Sequence, residues 1–107
     1  MVPASSMELH RQRMRDRLLT AGPDALADHE MLEMVLFLAL PRVDTKPIAH
    51  RLLARFGDFA GVIAASPRDI AGVEGMGRAS AAALKIVNAA AVRLLQAQVA
   101  GRGAHGT

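Results

Sequence analysis

The segment from Ile70 to Ile86 constrains the fold more than any other part of the chain. Its sequence, IAGVEGMGRASAAALKI, places Gly75-Met76-Gly77 between two stretches whose apolar residues recur at helical spacing. Glycine permits a positive φ and leaves no side chain in the way of an approaching backbone, so we expect both glycines to shape a tight turn. The pattern predicts a hairpin whose Met76 inserts into the core and whose second helix begins at Arg78.

The rest of the chain is also predicted to be helical. The 107 residues include three Phe and neither Trp nor Tyr, so the core must come from Leu, Ala, Val, Ile and Met. Such a core favours the packing of helices over that of a sheet, which is rich in β-branched and aromatic residues. No stretch alternates apolar and polar residues as a half-buried strand does. We predict an all-α fold, a compact orthogonal bundle of five to six helices.

Glycines, prolines and capping residues divide the chain into the predicted helices. The first should cover about residues 7–19, and the second should start with Asp28 as its cap and end before Pro41. Asp44 and Thr45 are expected to cap the third. The later helices are expected at about 45–56 and 59–65, from Ser66-Pro67 onward, and from Arg78 to about Ala100.

The length suits a single domain with one modest core. We expect a disordered leader at residues 1–6, the helical domain at 7–100, and a flexible tail at 101–107, where GRGAHGT offers nothing to pack. The chain opens without an apolar stretch, and its longest apolar run, residues 31–40, is about half of what a bilayer span needs. A cytoplasmic location is therefore expected.

The hairpin is also the predicted functional element, because its spacing matches the helix–hairpin–helix motif over residues 70–86. The amides of Gly75, Gly77, Ala79 and Ser80 should open the start of the last helix to solvent, where free donors and the helix dipole favour an anion. Nearby cations and the Ser80 hydroxyl would add to this. Contacts to phosphates do not read sequence. The predicted nucleic-acid-binding residues are Gly75, Met76, Gly77, Arg78, Ala79, Ser80 and Lys85.

The first predicted helix is a second basic element. Its arginines fall at every second position and therefore spread around the helix at 100° per residue. One interpretation is a solvated surface helix with one buried edge; the other is a phosphate-facing rim of Arg11, Arg13 and Arg15. The formal net charge of +3 permits an acidic partner without naming one. We predict the phosphate backbone of DNA as the partner, keep a protein partner as the alternative, and leave the oligomeric state open.

The acidic residues and histidines carry no predicted catalytic or metal site, and no cofactor is predicted. The chain has no cysteine, which excludes cysteine-ligated metals. Acidic groups such as Asp28 and Glu30 favour the first turn of a helix, and His29 with Glu33 forms an ordinary i, i+4 pair. Glu33 interrupts an apolar helix, so we expect it to reach the rim or to pair with an arginine of the first helix. His10 and His50 are expected at the surface.

Three stretches, HRQRMRDRLL, DALADHEMLEMVLFLALPRVDTKPIAHRLLARFG and EGMGRASAAALKIV, resemble the N-terminal domain of the RadC-like proteins over about residues 10–95. That bacterial family is named after DNA repair. Its helical domain precedes a JAB/MPN-type metalloprotease-like domain with zinc ligands in an H-x-H…S…D pattern, which no part of this chain matches. The resemblance therefore implies a non-enzymatic, DNA-binding domain linked to repair or recombination.

The sequence also allows comparison with two other functions. The chain is also similar to the helical core of endonuclease III type DNA glycosylases, whose catalytic lysine would fall at Ala79; without an amine there, Schiff-base chemistry is excluded. The remaining alternative is a protein-interaction or regulatory module that docks a partner or a catalytic domain without binding DNA. Salt-dependent DNA binding would distinguish it from the first hypothesis.

Overall fold

The computed structural model describes residues 5–105, with side chains up to residue 101. Within that range the chain forms six α-helices and one short 3₁₀ turn, without any strand, which confirms the all-α prediction. The elements are α1 (Ser6–Ala21), the 3₁₀ turn (Pro23–Ala25), α2 (Asp28–Ala39), α3 (Lys46–Phe56), α4 (Phe59–Ala64), α5 (Pro67–Ala71) and α6 (Arg78–His105).

Helix α2 begins at Asp28, one residue earlier than predicted from the sequence. Asp28 is the first helical residue and Ala27 is the N-cap, so the prediction of Asp28 as the cap is wrong. The Asp28 carboxylate instead accepts a hydrogen bond of 2.9 Å from the backbone N–H of Phe59. This bond ties the start of α2 to the start of α4, a tertiary contact that a local capping pattern cannot indicate.

The turn before α3 joins two elements as well. Thr45 is the N-cap of α3, but its buried hydroxyl donates a 3.0 Å hydrogen bond to the carbonyl of Glu33 in α2. The capping bond comes from Asp44, whose carboxylate accepts from the backbone N–H of Lys46 at 3.1 Å. Of the two predicted capping residues, Asp44 therefore accepts a hydrogen bond from the start of α3, and Thr45 anchors that start to α2.

The core lies between α2 and the first half of α6. Helix α2 contacts α1, α3, α4 and α6 and is the central helix of the bundle, in agreement with the apolar residues around most of its circumference. Met76 packs against this core from the hairpin, also as predicted. The buried cluster comprises Leu32, Leu36, Ile48, Ala49, Leu52, Val62, Ile63, Ile70, Val73, Ala81 and Leu84.

Helix α6 continues past its expected end near Ala100 and runs to His105. The first five residues of the predicted tail thus belong to the helix, and residues 106–107 lie outside the described range. At the other end, α1 already includes Ser6 of the predicted leader, and residues 1–4 are not among those described. None of the described helices is long and apolar enough to cross a membrane.

Candidate nucleic-acid interface

The two glycines of the hairpin are glycines for different reasons. Gly75 has a φ of +90°, and a Cβ built there would lie 2.8 Å from Cγ1 of Ile48, so both conformation and packing require glycine. Gly77 does not have a positive φ, so its backbone conformation does not require glycine. A Cβ on Gly77 would meet no protein atom within 4 Å. The fold itself therefore leaves open space at Gly77.

The first turn of α6 presents fewer open donors than the sequence suggested. The N–H of Gly77 donates to Oγ of Ser80 at 2.9 Å, so this amide is engaged by the protein's own chain. The residue Ser80 is only 1% exposed, which keeps both its amide and its hydroxyl away from solvent. The exposed residues Gly75, Arg78 and Ala79 keep amides without an acceptor in the described part of the chain. The amides of Arg78 and Ala79 belong to the first turn of α6, and that of Gly75 lies in the hairpin turn two residues before its N-cap; the three are together called the α6 start.

The charged groups around this turn are mainly positive. Arg78 is exposed and forms no ion pair with any described residue. The carboxylate of Glu74 is nearby in sequence, but its Oε2 lies 3.7 Å from Nε of Arg51. The Lys85 ammonium donates to the carbonyls of Ile63 and Ala65 at 2.8 and 2.9 Å and so holds the end of α4. Lys85 adds a fixed positive charge with only one proton left to donate.

A cleft of about 490 Å³ lies between α5 and α6, next to the hairpin. Three of its lining residues are cationic and four are apolar. Sequence analysis did not identify one of the cations, Arg68, because its position beside Arg78 depends on how α5 packs on α6. The lining residues are Pro67, Arg68, Ala71, Arg78, Ala81, Ala82 and Lys85.

The predicted basic rim on α1 lacks one of its three members. Arg11 is 4% exposed, and its guanidinium donates to the carbonyls of Pro41 and Val43 at 2.6 and 2.5 Å while lying over the Phe37 ring. Burial lowers the pKa of Arg11, and the charges of Asp44 and Glu33 oppose that shift. Arg11 is therefore a structural link from α1 to the loop between α2 and α3. The rim is reduced to the exposed residues Arg13 and Arg15.

Glu33 is buried and bound to histidines, so the expectation of the rim or an arginine partner is wrong. Its carboxylate oxygens lie 3.2 Å from Nε2 of His10 and 3.1 Å from Nδ1 of His29, which confirms the i, i+4 pair. The His29 ring stacks on that of His50, with centroids 5.2 Å apart. Among residues 5–101, no three acidic or histidine side chains are placed to hold a metal ion.

Comparison with known proteins assigns the chain to a family. Residues 8–82 match the model of the UPF0758 N-terminal domain, which is well over half of the 107 residues. This chain belongs to the UPF0758 family. Its sequence is 51% identical over 89 residues to a UPF0758 protein of Rhodobacter capsulatus, and 47% identical over 93 residues to one of Ruegeria pomeroyi. The predicted resemblance to the N-terminal domain of the RadC-like proteins is thus confirmed at the level of the family: the matching part is the UPF0758 N-terminal domain.

The UPF0758 relatives are longer than this chain. The alignments cover 83% and 87% of the chain but 42% of each relative. No solved structure is significantly similar to it. Family membership therefore fixes which domain this is, and the arguments about its function depend on the geometry of the hairpin and the cleft.

In this UPF0758 domain Ser80 is buried, and the other predicted binding residues lie at the hairpin or in the cleft beside it. Gly75, Gly77, Arg78 and Ala79 are exposed together at the hairpin, and Met76 anchors it to the core. Lys85 lines the neighbouring cleft. The predicted role of these residues in nucleic-acid binding stays a prediction. The backbone N–H groups that are open to a ligand are those of Gly75, Arg78 and Ala79, the α6 start.

Proposed function

We propose that this domain binds nucleic acid, DNA in the first instance, by placing a backbone phosphate against the α6 start formed by Gly75, Arg78 and Ala79. The observation that carries the proposal is the open space at Gly77 beside these amides. Gly77 is the N-cap of α6, where Ser or Asn would stabilise the helix at least as well. A ligand backbone that comes close to the turn supplies a reason for glycine that the fold does not.

The electrostatics of the turn support an anionic ligand. The amides at the start of a long helix carry a partial positive charge, and the guanidinium of Arg78, which forms no ion pair with any described residue, adds a full one. The nearby carboxylates of Glu74 and Asp69 lie 3.7 and 3.8 Å from the guanidinium groups of Arg51 and Arg55. Binding through the phosphate should not depend on base sequence and should weaken as salt increases. The link to repair or recombination implied by the RadC-like resemblance would act through this backbone contact.

The experiment is a fluorescence-anisotropy titration of a labelled DNA duplex at two salt concentrations. Gly77→Asn keeps a good N-cap but fills the approach to the amides, and Arg78→Glu reverses the charge there. Each should weaken binding by roughly tenfold at low salt. Arg93→Glu is the matched control, because Arg93 is exposed on the second half of α6 and carries the same charge. The proposal fails if Arg93→Glu weakens binding as much as Arg78→Glu, or if Gly77→Asn has no effect.

Protein docking is the second candidate function, and the second half of α6 favours it. From Ala89 onward nearly all described residues of the helix are exposed, including Val92, Leu94, Leu95 and Val99 at 43–67%. Exposed apolar residues grouped on one element are typical of interaction surfaces. Under this alternative, DNA binding is absent at low salt, and Leu95→Glu abolishes the association with the partner without affecting the hairpin.

A further inference from the structure

The cleft between α5 and α6 carries positive charge that the contact at the hairpin does not use. Arg68, Arg78 and Lys85 line it, and no carboxylate does. The other two arginines near this face are already paired, Arg51 with Glu74 and Arg55 with Asp69. Arg68 and Arg78, in contrast, have no ion pair in the described part of the chain. Uncompensated like charges around one cleft favour an anion within it.

Lys85 contributes a positive charge that is held in position at the cleft. Its ammonium donates to the carbonyls of Ile63 and Ala65, so the side chain is held at the cleft. A free surface lysine would swing into water and lose its effect on the cleft. The positive wall of the cleft is therefore built into the junction between α4 and α6.

The floor of the cleft is apolar and indicates more than an inorganic anion. It is made by Pro67, Ala71, Ala81 and Ala82, whose small side chains leave a volume of about 490 Å³. That volume lies within the range of small-molecule sites, roughly 300–1,000 Å³. A bare phosphate gains nothing from alanine methyl groups. The ligand should therefore combine an anionic group with a flat or apolar part.

We infer that the cleft binds one unpaired nucleotide, its base on the alanine floor and its phosphate between Arg68 and Arg78. The inference rests on the proposed function, because Arg78 belongs to both the cleft and the α6 start. Bases pack on apolar surfaces and on guanidinium planes only when they are not stacked in a duplex. The preferred ligand is therefore a single-stranded or gapped nucleic acid, with the adjoining phosphate at the hairpin.

Anisotropy titrations with a labelled single strand and with the duplex of the same sequence test this preference. Ala82→Leu fills the floor from an exposed helix position, and Leu is a strong helix former. We expect the wild-type domain to bind the single strand more tightly, and Ala82→Leu to weaken that binding roughly fivefold while duplex binding is unchanged. Arg68→Ala should have a similar effect. Ala97→Leu and Arg93→Ala, on the exposed second half of α6, are the matched controls.

A nuclear magnetic resonance titration keeps the inference testable if a variant fails to fold. Deoxyadenosine monophosphate should shift the amides of residues 68–71 and 78–85, whereas inorganic phosphate should shift those of the hairpin alone. Equal shifts from the two probes would overturn the inference, as would a preference for the duplex or an unchanged affinity of Ala82→Leu for the single strand. In those cases sensitivity of duplex binding to Gly77→Asn preserves the proposed function. If neither nucleic acid binds, or if an acidic peptide alone occupies the cleft, both fail.

Discussion

The hairpin glycines show at the residue scale how two identical residues can have separate roles. Gly75 is required by the fold, since its φ is +90° and an added Cβ would lie 2.8 Å from Ile48. Gly77 has space around it and an ordinary backbone conformation. The fold therefore requires the first glycine, whereas our proposal assigns the second a role in access to the α6 start.

The same substitution at both positions separates these roles. Gly75→Asn should lower the free energy of unfolding by about 1–3 kcal/mol, because Ile48 must move even though Asn tolerates a positive φ. Gly77→Asn should change it by less than about 0.5 kcal/mol, since Asn is a good N-cap and meets no neighbour there. Urea unfolding followed by circular dichroism measures both. Equal losses would show that Gly77 also has a structural role.

Glu30 gives the domain a pH-dependent contribution to stability. The backbone N–H of Ala27, at 3.0 Å, lowers the pKa of Glu30 from its ordinary value of 4.5, and the Arg17 guanidinium at 2.6 Å adds to the shift. A carboxyl whose pKa is lower in the folded state stabilises the fold fully above the ordinary value. That contribution is lost as the pH falls below 4.5 and through the lowered value.

Glu30→Gln should therefore cost about 0.5–1 kcal/mol at neutral pH, because the charge is lost next to Arg17 and the start of α2. The difference from wild type should shrink as the pH falls below the ordinary glutamate value. Chemical unfolding at a series of pH values measures it, with Asp24→Asn at an exposed position as the control. A difference that stays constant down to strongly acidic pH would contradict the assignment.

At the scale of elements, α6 has a first half that packs on other helices and a second half that is exposed to solvent. Residues 78–88 pack on α2, α4 and α5, whereas nearly all described residues after Asn88 are exposed. A helical segment without a packed face is marginally stable in water. Amide hydrogen exchange should therefore be slow in the first half and fast in the second. Uniform protection along α6 would mean that a partner covers the exposed half, and sedimentation velocity would then show whether it is a second copy.

The helices and the hairpin could be predicted because their signals are local. Proline, glycine and capping residues lie close to the ends of the elements they define, as at Ser66-Pro67, where Ser66 caps α5 through the N–H of Asp69. The orientation of single side chains could not be predicted. The alternating arginines of α1 are equivalent in sequence, and only the loop between α2 and α3, with carbonyls at Pro41 and Val43, selects Arg11 for burial.

The site was predicted in part for the same reason. The hairpin and its basic neighbour Arg78 follow from a continuous segment of sequence. The engagement of the Gly77 amide depends on the Ser80 rotamer, and the cleft depends on how α5 lies against α6. Arg68 carries no signal of its own in the sequence. Functional residues contributed by a second element become visible only when the packing of the two helices is known.

For the whole molecule, the account depends on one end of the bundle having free donors and free positive charge. The formal net charge of +3 is small, so the arrangement matters more than the total. Glu74 and Asp69, the acidic residues near the hairpin, are paired with Arg51 and Arg55, and within the described part of the chain Arg68 and Arg78 have no ion pair and are available for the proposed ligand. The relatives are more than twice as long as the aligned segment, so this end would act there as one binding element of a larger protein.

The most direct measurement is a titration of the isotope-labelled domain with a short DNA duplex, followed by the shifts of its backbone amides. The account predicts that Gly75, Arg78 and Ala79 shift first and most, and that the shifts disappear in Gly77→Asn and at high salt. Shifts confined to the second half of α6, or none at low salt, would contradict the claim that the open start of α6 binds a phosphate.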